Sequence, residues 1–144
     1  MPERLILLVE DDADDEELTL RALREAGVAH EVVVVHDGAE ALEVLGATGE
    51  PAARVPQLVL LDLKLPKLGG LEVLQRLRSD PRAAPVPVVV LTSSSEEDDI
   101  VASYRLGANS FVRKPVEFPR FAEAVRQIGA YWLLLNEPLP ARRP

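Results

Sequence analysis

Five short apolar runs, residues 5–9, 32–35, 58–61, 86–91 and 110–112, alternate with longer amphipathic stretches. The third and fourth runs are rich in Val and Leu and show no in–out alternation, the pattern of strands buried on both faces. The stretches between them read as helices. Residues 13–26 place acids first and arginines (Arg21, Arg24) later, with Gly27 closing, a polarity that suits the helix dipole. Residues 39–46 end near Gly46 and Gly49, and residues 70–79 carry Leu71, Leu74 and Leu77 and stop before Pro81. Ser94, with Glu97 three residues on, resembles a capping box opening a helix over 96–106, before Gly107. The last helix covers 117–135. Its Phe118, Phe121, Val125, Ile128, Trp132 and Leu135 recur three and four apart, one apolar stripe facing the sheet.

Strands alternating with helices imply βαβ units, a parallel sheet and helices on both of its faces: a three-layer α/β fold. Right-handed crossovers leave few topologies. In such sheets ligands bind beyond the carboxyl ends of the strands, so the residues just after each strand are the candidates for function.

The 144 residues suit about one domain. Residues 1–135 are expected to form it, with 136–144 as a Pro-rich tail and no effector domain. A net charge of −8 argues against nucleic-acid binding, and the absence of cysteine excludes disulfides, thiolate metal sites and cysteine nucleophiles. The first apolar run stops at Glu10, too short for a membrane span or a signal peptide. A soluble, cytoplasmic protein is expected.

Glu10 and Asp11 follow the first strand, Asp62 the third, Thr92 the fourth and Lys114 the fifth. Singly, each has a bland explanation: an acid that caps a helix, an ordinary Thr, a solvated Lys. Together they crowd one edge of one sheet. Two negative charges about 4 Å apart repel by about 4 kcal/mol at an effective dielectric near 20. Three carboxylates therefore need counter-charge, which Lys114 and a hard divalent cation, Mg²⁺ above all, would supply. The set suits phosphoryl transfer. Asp62 would attack as nucleophile, and the cation, Lys114, the Thr92 hydroxyl and the backbone N–H of Ser93 would stabilise the transferred oxygens.

These residues resemble the receiver domain of two-component response regulators over about residues 4–130. Leu7-Leu8-Val9-Glu10-Asp11-Asp12 is similar to the family's acidic first loop. Asp62-Leu63-Lys64-Leu65-Pro66 with Gly69-Gly70 is similar to its phosphoacceptor loop, Val90-Leu91-Thr92-Ser93 to its switch Thr, and Phe111-Val112-Arg113-Lys114-Pro115 to its aromatic, Lys and Pro. The spacings of 30 residues from Asp62 to Thr92 and 22 from Thr92 to Lys114 also match. The resemblance implies a doubly wound, flavodoxin-like fold with strand order 2-1-3-4-5. It implies a signalling phosphoacceptor rather than a turnover enzyme, one that catalyses its own phosphorylation and dephosphorylation. Asp62 would accept phosphate from a sensor histidine kinase. Mg²⁺ would be held by Asp11, Asp62 and the Lys64 carbonyl, with Glu10 acting through water. Thr92 and Lys114 would contact the phosphoryl group, Thr92 and Phe111 would form the switch, and Lys114–Pro115 would be cis. Lys64 departs from the small amide common at that place, and its side chain is expected to point to solvent.

Residues 94–100, Ser103-Tyr104, and Lys114-Pro115-Val116 leading to Tyr131-Trp132-Leu133 with Leu139-Pro140 resemble the single-domain receivers that pair with bacterial phytochromes. A phytochrome-type kinase is the partner this implies. Tyr131, Leu133 and Leu134 fall outside the core stripe, and with Trp132 they predict an apolar patch. That patch, with the 96–106 helix, the fifth strand and Leu139, is expected to form a symmetric homodimer. The rival is a Pro-rich tail folded over it. Seven acids stand in residues 10–17; two belong to the site and the rest read as a solvated first turn. His30 and His36 read as structural. Other readings are a phosphorylation-independent adaptor of the same fold, a flavin or nucleotide protein, and a Mg²⁺-dependent hydrolase. The acidic first loop repels a cradled phosphate, and Lys64 stands where the hydrolase needs a second acid.

Overall fold

A computed structural model describes residues 4–45 and 55–139. The strands are β1 (Leu5–Val9), β2 (Glu31–Val35), β3 (Leu58–Leu61), β4 (Val88–Thr92) and β5 (Ser110–Arg113). The helices are α1 (Ala13–Glu25), α2 (Gly38–Leu45), α3 (Gly70–Ser79), α4 (Glu97–Arg105) and α5 (Phe118–Gly129), which runs on into a π-helical segment, Ala130–Leu135. All strand pairs are parallel, in the order β2-β1-β3-β4-β5. This is the doubly wound receiver-type fold expected. Gly46, Gly49 and residues 140–144 of the expected tail lie outside the described residues.

The central strands split their side chains between two cores with a period of two. Leu7, Val9, Val59, Leu61, Val88 and Val90 face α2 and α3, meeting Ala41, Leu42, Val73, Leu74 and Leu77. Ile6, Leu8, Leu58, Leu60, Val89 and Leu91 face α1 and α5, meeting Ala22, Leu23, Phe121, Val125 and Ile128. Both faces of β1, β3 and β4 are thus fully covered, which is why these runs lack polar alternation. Pro87 has no N–H to give a ladder, and β4 starts one residue after it, at Val88 rather than 86.

Three expectations at helix ends are corrected. Ser94 does not build a capping box: Glu96 is the N-cap of α4 and offers no side-chain bond, while the Ser94 hydroxyl bonds Asp99 Oδ2 at 2.5 Å. The apolar stripe of the last helix holds through Phe121, Val125 and Ile128, with Trp132 partly buried against the same core; Phe118 and Leu135 are exposed. Beyond Ile128 the winding widens to i→i+5. The next inward position is therefore Leu133, five residues on, which buries against α1 and α5. Leu133 thus belongs to the core and not to the expected interface patch. Tyr131 and Leu134 are exposed as expected, and Trp132 is half-buried with its ring edge-on to Tyr131.

α4 is lightly seated. Only Ser103 of its residues is buried, while Val101 and Tyr104 face solvent. At its lower end Arg78 of α3 donates to the carbonyls of Ala84, Val86 and Gly107 and to Asn109 Oδ1, tying the α4–β5 loop to the base of the sheet.

Candidate phosphoryl-transfer site

The carboxyl ends of β1, β3, β4 and β5 deliver the candidate residues to one place. The parallel ladder carries each strand one residue past its neighbour. Asp62 N–H donates to the Val9 carbonyl at 3.1 Å, and Lys114 N–H donates to the Thr92 carbonyl at 2.7 Å. These bonds fix the backbone at Val9 and Asp62, and at Thr92 and Lys114, independently of any side chain. Gly70 lies beneath Asp62: a Cβ there would crowd the Asp62 carbonyl oxygen and stand 2.6 Å from Leu63 Cα. Only glycine lets the N-terminus of α3 approach this closely.

Both Asp62 oxygens are engaged. Oδ1 accepts from the Thr92 hydroxyl at 2.8 Å and from the Lys64 N–H at 3.2 Å. Oδ2 accepts from Lys114 Nζ at 3.0 Å. The same ammonium donates to Glu10 Oε1 at 2.6 Å and to Asp15 Oδ2 at 2.8 Å. Asp62, Thr92, Glu10 and Lys114 are all buried. Asp11 is exposed, with an oxygen within 4.8 Å of oxygens from Glu10 and Asp62.

Burial pushes the Glu10 carboxyl up to about 7. Its hydrogen bond and attraction to Lys114 oppose the shift, and the charge of Asp62 adds to it. For Lys114, burial works toward a lower pKa, but the bonds to Asp15 and Glu10 and the charges of Asp62 and Glu10 outweigh it, and the ammonium is held above its ordinary value. One cation thus faces more carboxylate than it neutralises. The oxygen-only donors of Glu10, Asp11 and Asp62 fit a hard divalent cation in size and chemistry.

Most of the expected site residues therefore meet: Glu10, Asp11, Asp62, Thr92 and Lys114. Ser93 is exposed in the β4–α4 loop, and the Lys64 side chain points to solvent as expected. Phe111 is half-buried on β5, packed against the α2–α3 core, and its N–H donates to the Tyr104 hydroxyl at 3.2 Å. Asp12 is the N-cap of α1, accepting from the N–H groups of Asp14 and Asp15. His30 and His36 lie outside the site, His30 bonded to Gln57 and His36 to Glu16.

Two differences stand out. The expected cis bond at Pro115 is absent; no peptide among the described residues is cis. Lys114–Pro115 follows the ordinary trans preference, worth about 0.5–1 kcal/mol for an X–Pro bond. Asp15, one of the first-turn acids expected to be solvated, reaches Lys114. Its signal was its place on the first turn of α1, just after a strand whose end carries two site acids.

Comparison with known proteins agrees with this fold. The model of the response regulator receiver domain family matches residues 6–126. Response regulator Rcp1 of Synechocystis sp. (strain ATCC 27184 / PCC 6803 / Kazusa) is 39% identical over 133 residues, which is 92% of this chain and 90% of that protein. The crystal structure of the phosphorylated cyanobacterial phytochrome response regulator RcpA superposes with a TM-score of 0.87 at 43% identity, covering 94% of this chain and 98% of that one. The Mn²⁺-bound form of Rcp1 superposes with a TM-score of 0.86 at 38% identity, covering 95% of this chain and 99% of that one.

Proposed function

Because the chain belongs to the response regulator receiver domain family, we propose that it is a phosphoacceptor of two-component signalling that takes phosphate on Asp62. The observation that carries this reading is the convergence of the Thr92 hydroxyl and the Lys114 ammonium on the two oxygens of Asp62. An Asp62 oxygen attacks the phosphorus of a phosphohistidine. The P–N bond breaks, its electron pair stays on the imidazole nitrogen, and an acyl phosphate forms. Lys114 and Thr92, with the Ser93 N–H, would hold the oxygens of the PO₃ unit as charge gathers there. Glu10, Asp11, Asp62 and the Lys64 carbonyl would hold Mg²⁺, which when bound neutralises the phosphoryl oxygens. Likeness to RcpA and Rcp1 supports a phytochrome-type sensor histidine kinase as donor.

In an Asp62→Asn variant, label transfer from a phosphorylated histidine kinase, or from acetyl phosphate with Mg²⁺, is abolished. Persistence of labelling would refute the mechanism and favour the phosphorylation-independent adaptor. Excess chelator likewise stops labelling of the wild-type protein.

Signalling then runs through protein–protein contact in the cytoplasm; no helix among the described residues is long and apolar enough to cross a membrane. A second copy is the proposed occupant of the exposed apolar side chains after α5, Tyr131, Leu134, Leu135 and Leu139, with Val101 and Tyr104 of α4 as further exposed apolar positions. Trp132 edges this surface. Light scattering that finds a monomer at every concentration, phosphorylated or not, counts against the dimer.

A further inference from the structure

Asp15 has a part in this site that the acidic cluster does not account for. An ammonium has three N–H bonds, and those of Lys114 meet three carboxylates: Glu10, Asp15 and Asp62. Glu10 and Asp62 also belong to the group of oxygens arranged for a cation; Asp15 does not. When a dication and a phosphoryl group draw on Glu10 and Asp62, Asp15 is the one carboxylate of the three still committed to Lys114 alone.

Its surroundings suit a tether. The Asp12 side chain accepts from the Asp15 N–H at 3.0 Å, and the Thr19 hydroxyl donates to the Asp15 carbonyl at 2.7 Å, so its backbone is fixed from both sides. The Asp15 side chain keeps 26% of its surface exposed against 3% for Glu10, so its charge is held at a smaller desolvation cost. Resting on the phosphoacceptor reading above, we infer that Asp15 is a positioning residue for phosphotransfer: it holds the Lys114 ammonium beside the Asp62 oxygen on which the phosphoryl group is built.

The test is labelling by radioactive acetyl phosphate at saturating donor and Mg²⁺, with Mg²⁺ affinity measured by calorimetry and folding checked by urea unfolding. Asp15→Asn should slow labelling about tenfold, as expected for losing a charge-assisted hydrogen bond. Mg²⁺ affinity should stay within about threefold, because the lost charge is partly solvated and screened. Asp15→Glu, which keeps the charge, should recover most of the rate and covers the case in which the Asn variant folds poorly. A spectroscopic signature separates positioning from mere structure. With Mg²⁺ and beryllofluoride bound, the ¹⁵N–¹H signal of the Lys114 ammonium should persist in the wild type and in Asp15→Glu and broaden in Asp15→Asn. A folded Asp15→Asn protein labelled at the wild-type rate or faster, or one with an unchanged Lys114 signal, overturns this inference alone. A wild type that takes no label, or an Asp62→Asn variant that does, overturns the phosphoacceptor reading and this inference with it.

Discussion

Gly70 opens α3 directly beneath Asp62, so close that the smallest side chain would collide with the acceptor's own main chain. The first turn of a helix and Asp62 therefore share one space. A Gly70→Ala variant must push the β3–α3 loop outward. Overpacking of this kind costs about 1–3 kcal/mol. Urea unfolding should show that loss, and labelling of Asp62 should fall further than stability alone explains, because the acceptor itself is displaced.

The π-helical end of the molecule yields a paired comparison. Leu133 is buried in the α1–α5 core, while Leu134, the next residue, is exposed. Leu133→Ala should cost about 2–4 kcal/mol of stability. Leu134→Ala should stay within about 0.5 kcal/mol, as a surface change does, and should weaken self-association in light scattering. Equal stability losses would contradict the winding described.

Arg78 offers a stability test far from the chemistry. Arg78→Met keeps much of the apolar stem but leaves the carbonyls of Ala84, Val86 and Gly107 without their donor. A loss of about 2–4 kcal/mol is expected on denaturant unfolding, the cost of several partly buried acceptors left unpaired. Labelling of Asp62 by a small phosphodonor should proceed at close to the normal rate while the variant remains folded.

The raised Glu10 pKa has a definite sign in metal-free, chelated buffer. Burial lifts it from 4.5 to about 7, so between these values the folded protein keeps a proton that the unfolded chain has released. The corresponding stability is complete below pH 4.5 and is lost as pH rises through about 7. Glu10→Gln removes the titration. The difference in unfolding free energy between wild type and variant should move against the wild type as pH rises from about 5 to about 8. A difference that stays flat would rule the shift out.

Much of this was legible in the chain because burial on both faces leaves so plain a mark. Runs of Val and Leu without alternation announced β3 and β4, and the polar residues after each strand announced the site. The rest depends on geometry that no pattern encodes. Asp15 looks like any first-turn acid until α1 is docked, when it meets a lysine 99 positions away. Leu133 looks solvent-facing on a helix of 3.6 residues per turn and faces inward only because the winding widens. The Ser94 hydroxyl donates to Asp99, a partner the capping-box pattern does not name.

The clamp at Arg78 has a corollary for which end of α4 can answer a change at Asp62. It pins the foot of α4 through Gly107 and Asn109, whereas the head of that helix is linked toward β4 through the short Ser94–Asp99 bond and little of its length is interred. Held at the floor of the domain and thinly seated above it, this helix has its least anchored end beside Asp62, so a push from the loop above Thr92 is expected to tilt it there.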